Sequence, residues 1–200
     1  FVTMNDMIRH TQAVMRGHSS GLVVADMPIA SCDTVEDALK NCRRMVDETE
    51  VRAVKIEGKP EICREVVESG ISVMGHTGLK PQEAEKMCVQ GKDDAGAQAI
   101  LDEAKALEAA GCFSVVLECI PSSLAKKITE ELDVPTIGIG AGSDCDGQIL
   151  VVHDILGLFT DFRPKFVKQY GDVRGEMLKA VKGFVDEVDR GIFPSPDHSF

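Results

Sequence analysis

With 200 residues and 44% hydrophobic content, the chain is long enough for one well-cored domain or part of a larger one. A net charge of −11, from 22 basic and 33 acidic residues, excludes the basic face expected of a nucleic-acid binder. No run of about 18 apolar residues is present, so the sequence offers nothing to span a membrane.

Residues 4–17 place Met4, Met7, Ile8, Val14 and Met15 at helical spacing, with Gly17 as a stop. An apolar strand over 21–26 ends in Asp26. An amphipathic helix over 34–49 follows, opened by Thr34 with Asp37 three residues on, a capping-box-like start. A strand over 51–57 ends in Lys55-Ile56-Glu57, a helix near 60–69 stops at Gly70, and a strand over 71–76 ends in His76. The polar connection from Thr77 to Gly96 is expected to hold a short helix at Pro81–Met87, since proline suits a first helical turn.

A long helix over 94–110 stops at Gly111, and Ser114–Pro121 is an apolar strand carrying Glu118. Ser122 is expected to cap a helix over 123–132, and the strand 135–140 runs into the glycines of Gly138-Ile139-Gly140-Ala141-Gly142. Residues 148–152 suit one more strand, and 171–190 reads as a helix with Val173, Met177, Ala180, Val181, Phe184 and Val188 on one stripe.

This β-α-β-α alternation, without linkers or low-complexity tracts, predicts a parallel α/β domain over 1–200. A dinucleotide fold would put a glycine-rich turn after its first strand. Here Asp26-Met27-Pro28 follows instead. Polar groups on the ends of many strands suit a (β/α)8 TIM barrel, whose active site gathers at the C-terminal ends of its strands. Only about six strands are visible, so the expectation is a partial barrel with its first two βα units missing. The chain begins with Phe and lacks signal-peptide features, which points to a fragment or a removed N-terminus. Seven cysteines, at 32, 42, 63, 88, 112, 119 and 145, form no C-x-x-C pair and no zinc spacing, and read as reduced thiols.

Side chains alternate along a strand, so Lys55 and Glu57 share a face. They are either a plain ion pair at the barrel top or part of a site. Asp26 and Glu57 are hard oxygen ligands suited to Mg2+, which usually takes one or two carboxylates and leaves positions for water or substrate. Asp26 is equally at home as a turn residue before Met27-Pro28. His76, between Gly75 and Thr77-Gly78, is either a structural hydrogen-bonded group or a site residue. Glu118, flanked by Leu117, Cys119 and Ile120, is a candidate for proton abstraction, or a carboxylate held by helix N-terminal amides. The glycine cluster 138–142 suits a phosphate or any close backbone approach.

These strings converge on one family. Asp26-Met27-Pro28, Val54–Gly58, Val73–Leu79 with Pro81-Gln82, Leu117–Pro121, Pro135–Gly142, Cys145–Gln148, His153–Gly157, Phe193-Pro194 and His198–Phe200 resemble ketopantoate hydroxymethyltransferase, in order and over essentially the whole chain. The resemblance implies a Mg2+-dependent barrel of the phosphoenolpyruvate/pyruvate superfamily. Such an enzyme transfers a hydroxymethyl group from methylenetetrahydrofolate to 3-methyl-2-oxobutanoate through a Mg-stabilised enolate. By the same resemblance, Asp26 and Glu57 are at the metal, Asp26, Lys55 and His76 hold the ketoacid, and Glu118 takes the proton.

The resemblance also implies a homo-oligomer, with small-molecule ketoacid and folate as its partners. The compartment is cytoplasmic, or mitochondrial in a eukaryote. Two further βα segments begin family members, the second with a Gly-Asp-Ser element, and neither is in this sequence. Ser143 and Lys86-Met87 stand where the family often has proline and a Gly-Gly pair. Two alternatives stay open: an inactive remnant, and a superfamily lyase. The lyase's Lys-Lys-Cys-Gly-His-like loop has no counterpart, because Lys126-Lys127 is followed by Ile128.

Overall fold

A computed structural model describes residues 2–200. The chain forms two compact units, with the boundary between Ile149 and Leu150.

The first unit opens with helix α1 (Met4–Gly17), capped by a reciprocal pair of Thr3 and Asp6. Strand β1 (Val24–Asp26), helix α2 (Val35–Thr49) and strand β2 (Ala53–Glu57) follow. The Thr34 hydroxyl accepts the Asp37 N–H at the start of α2, as the sequence predicts. Helix α3 (Pro60–Glu68), strand β3 (Ser72–Gly78), helix α4 (Asp94–Ala109) and strand β4 (Ser114–Glu118) continue the alternation. Helix α5 (Ser122–Glu131), strand β5 (Thr136–Ile139) and the two-residue strand β6 (Gly147–Gln148) complete it.

All strands are parallel and lie in chain order, β1-β2-β3-β4-β5-β6. A doubly wound sheet would reverse its order at a switch point. Sequential order is that of barrel staves.

The helix-facing side of the sheet is apolar and closely packed. Val54, Ile56, Val73, Val115 and Leu117 are almost wholly buried there, together with Ala38, Met45, Val66, Leu107 and Ile128 from the helices. Gly75 lets α4 approach β3, since a Cβ there would lie 3.1 Å from Leu107 Cδ1.

Three expectations are corrected. The 81–87 segment is no helix: after a single turn whose Lys80 carbonyl accepts the N–H groups of Glu83 and Ala84, the chain runs irregularly. Its far end is held away from helical geometry by the Gln90 N–H on the Cys119 carbonyl. Residues 148–152 are not one strand, because the ladder ends where the Ile149 N–H reaches the Gly138 carbonyl and a helix begins at Val152. Ser122 is not the cap of α5 but its first residue, and the Pro121 carbonyl accepts the first helical bonds.

The second unit holds the short helix α6 (Val152–Ile155), helix α7 (Val173–Asp189) and a closing 3-10 turn at Pro196–His198. The N–H of Tyr170 bonds to the Ile155 carbonyl, and that of Val173 to the Leu156 carbonyl. Phe184 meets Phe193 edge-on, with ring centroids 5.5 Å apart. Met177, Val181 and Val188 are exposed. No helix among the described residues is long and apolar enough to cross a membrane.

Candidate active site

Register alone puts the five singled-out side chains on one face of the sheet. Asp26 pairs with Lys55, Glu57 with His76, and Gly78 with Glu118. Residues two apart on a strand share a face, and so do paired residues on neighbouring strands. Asp26, Lys55, Glu57, His76 and Glu118 therefore all project from the same side, at the C-terminal ends of four adjacent strands. Thr77, one residue out of phase, points to the other side and donates to Glu103 of α4.

Lys55 is the centre of the group. Its Nζ lies 2.8 Å from Asp26 Oδ1, 3.9 Å from Glu57 Oε1 and 3.4 Å from His76 Nδ1. An ammonium has only donors, so the neutral imidazole facing it accepts at Nδ1 and carries its hydrogen on Nε2. That Nε2 faces Glu118 Oε2 at 3.3 Å. A continuous line of polar groups thus runs Asp26, Lys55, His76, Glu118, with Glu57 beside Lys55 and its Oε1 3.8 Å from His76 Nδ1.

Burial makes this line costly unless it is satisfied. The side chain of His76 is 2% exposed and that of Glu57 is 7% exposed. Burial pushes the Glu57 carboxyl above its usual range, a rise opposed by the Gln82 N–H and by Lys55. Two buried atoms still lack an aligned hydrogen-bond partner, Asp26 Oδ1 and His76 Nε2. Each has an oppositely charged or polar neighbour at ion-pair distance, Lys55 and Glu118 respectively. Distance without alignment leaves the hydrogen-bonding capacity of both atoms unfilled, which is the condition of groups arranged for a ligand.

Among the described residues no group of three or more His, Cys, Asp or Glu forms a metal cage. Two carboxylates on adjacent strands, Asp26 and Glu57, remain. That set fits Mg2+, which usually binds through one or two carboxylates and takes its other oxygens from water and substrate.

The glycines of 138–142 have a packing explanation of their own. A Cβ on Gly142 would lie 2.5 Å from Ser122 Cβ, and one on Gly138 would lie 3.0 Å from Cys145 Sγ. They are not among the groups around Lys55. No sequence pattern assigns a role to Gln82, Thr77, Lys80 or Glu103. Gln82 donates its N–H to Glu57 Oε2 at 3.1 Å, and Lys80 donates to Glu103 Oε1 at 2.9 Å.

Comparison with known proteins adds an independent line. The family model described as ketopantoate hydroxymethyltransferase matches residues 1–196. The 3-methyl-2-oxobutanoate hydroxymethyltransferase of Syntrophus aciditrophicus is 52% identical over 206 residues, covering 100% of this chain and 76% of that protein. Among solved structures, the phosphoenolpyruvate phosphomutase of Streptomyces platensis superposes with a TM-score of 0.61 at 14% identity, over 100% of this chain and 73% of the other. Phosphonopyruvate hydrolase in complex with oxalate and Mg2+ gives 0.58 at 13% identity, over 99% and 74%. The two superpositions establish a shared fold.

Proposed function

Because the chain belongs to the ketopantoate hydroxymethyltransferase family, we propose that its five-residue face enolises 3-methyl-2-oxobutanoate and directs the enolate onto the one-carbon unit of methylenetetrahydrofolate, with water supplying the hydroxyl oxygen and tetrahydrofolate released, giving ketopantoate for pantothenate synthesis. The chain is a transferase. The observation that carries the assignment is the line from Asp26 through Lys55 and His76 to Glu118.

Glu118 is the base. Its side chain is 16% exposed, at the outermost level of the face, where the carbon beside a bound keto group would present its proton. Lys55 supplies positive charge beside the oxygens on which negative charge develops, without having to reorganise during the reaction. The His76 Nε2 hydrogen faces the same space and orients the ketoacid or the Glu118 carboxylate. Asp26 and Glu57 would hold Mg2+, which when bound supplies Lewis-acid stabilisation of the ketoacid's developing negative charge.

The reading extends to architecture. Six parallel strands in sequential order are six staves of a (β/α)8 barrel. It includes a homo-oligomer as well, supported by the exposed apolar side chains Met177, Val181 and Val188 of α7.

The test follows the C3 proton of 3-methyl-2-oxobutanoate by NMR as it exchanges into D2O, with full-length protein, with and without Mg2+. Folate is left out so that enolisation alone is read. Wild type is expected to exchange in a Mg2+-dependent way, and Glu118→Gln to lose at least about a hundredfold, the scale of a positioned general base. Exchange that survives in Glu118→Gln would move the base elsewhere.

A further inference from the structure

Gln82 lies on none of the strands that carry the site, yet it bonds to Glu57 on β2 and to Met27, the residue that follows β1. The chain leaves β3 at Gly78, the Leu79 N–H bonds to the Glu118 carbonyl at 2.8 Å, and a tight turn begins in which the Lys80 carbonyl accepts both Glu83 and Ala84. Pro81 has no N–H, so the first free main-chain donor of that turn belongs to Gln82. It reaches Glu57 Oε2 at 3.1 Å. The side-chain Nε2 of Gln82 extends the other way and donates to the Met27 carbonyl at 2.8 Å. Met27 follows Asp26 directly, and its own N–H bonds to the Lys55 carbonyl at 3.0 Å.

One loop residue therefore ties the Met27–Pro28 peptide, one residue beyond Asp26, to the carboxylate of Glu57. With Oε2 engaged, Glu57 turns Oε1 towards Lys55 and His76. With the Met27 carbonyl held by Gln82 and the Met27 N–H held by Lys55, the residue after Asp26 is fixed on both sides, which restricts the strand end that carries Asp26. A carboxylate pair on adjacent strands still has freedom at each side chain and at the strand end, and the Gln82 bridge removes part of it at both.

We propose that Gln82 is a positioning residue that sets the separation and orientation of Asp26 and Glu57, so that the affinity for the divalent cation is fixed by the 79–92 loop as well as by the strands. The inference rests on reading the face as a Mg2+-dependent ketoacid site. Partners that orient metal-binding carboxylates typically cost 10–100-fold in metal affinity or activity when removed.

The experiment uses full-length protein and Gln82→Met, which keeps length and apolar bulk and removes only the bond to Met27. Calorimetry measures the Mg2+ dissociation constant in saturating 3-methyl-2-oxobutanoate, and D2O exchange is followed across a Mg2+ titration. The expected result is a dissociation constant raised about tenfold, exchange recovered towards wild type at high Mg2+, and a melting temperature close to wild type without metal. A cation affinity equal to wild type overturns the proposal. So does a loss of exchange that follows the melting temperature and ignores Mg2+, which marks a merely structural tether. Gln82→Ala, which removes the same bond with less bulk, carries the same reading if the methionine variant folds poorly. Wild-type exchange indifferent to Mg2+ would instead sink the underlying site assignment, whatever the variants do.

Discussion

Gly78 shows how much of this site is main-chain geometry. Its φ of +90° lies in the left-handed region, and a Cβ there would stand 2.4 Å from the Glu118 carbonyl oxygen and 2.8 Å from Ile120 Cγ2. The next residue, Leu79, bonds to that same carbonyl at 2.8 Å. Any side chain at 78 must push apart the strand end that carries Glu118 and the loop that carries Gln82. Gly78→Ala is expected to cost on the order of 3 kcal/mol from backbone strain and steric displacement together. Urea unfolding reads the loss, and exchange by the remaining folded protein should fall as well. A variant with wild-type stability would show that the loop yields freely. On the other side of Glu118, Cys119 holds φ +48° without being glycine, pinned by its N–H to Ile139 and its carbonyl to Gln90. Both neighbours of the Glu118 peptide are thus conformationally special.

At the scale of elements, β3 works in two directions. His76 faces the site, while the fully buried Thr77 hydroxyl donates to Glu103 on α4, and Lys80 pairs with the other oxygen of Glu103 at 2.9 Å. Glu103 fixes the exit of β3 against α4 and so fixes the start of the loop bearing Gln82. Glu103→Ala would leave a buried hydroxyl without its acceptor and Lys80 without this partner. The expected cost is about 1–3 kcal/mol in urea unfolding, with Glu103→Gln recovering most of it, since an amide oxygen can still accept from Thr77. Equal losses in the two variants would mean that charge, not acceptance, is what Thr77 requires.

Such ties explain what the sequence disclosed and what it hid. Strand-terminal Asp26, Lys55, Glu57, His76 and Glu118 were legible because a charged or imidazole group closing an apolar run is conspicuous, and alternation gives its face. Gln82 was not, since its main-chain donor has no side-chain signature and its amide reaches a carbonyl 55 positions away. The helix expected at 81–87 failed for the same reason: the proline and polar residues suit a first turn, but the Gln90 bond to β4 draws the chain out. Gly138 and Gly142 have packing reasons of their own, in close approaches to Cys145 and Ser122.

On the scale of the whole molecule, cysteine accessibility reports the integrity of one unit, because all seven cysteines precede Leu150. All are free thiols. Cys32, Cys42, Cys63, Cys112 and Cys119 are buried, Cys145 is half-buried and Cys88 is exposed. The reactive species is the thiolate, so both access and proton affinity limit the rate. Burial, with Glu118 adjoining, pushes the Cys119 thiol up to about 11, so that it stays protonated at neutral pH. Cys88, on the loop between β3 and α4, has neither barrier of burial nor of packing. With an aromatic disulfide reagent at pH 7.5, native protein should show one fast thiol, a slower second, and five released only in denaturant. Cys88→Ser should delete the fast phase and leave enolisation intact. Three or more fast thiols would mean that the first unit opens under native conditions, and the five-residue face with it. A rate for the buried group equal to the rate of global unfolding would place the five-residue face within the unit's last-melting core, where stability and the geometry around Glu118 are lost in a single event.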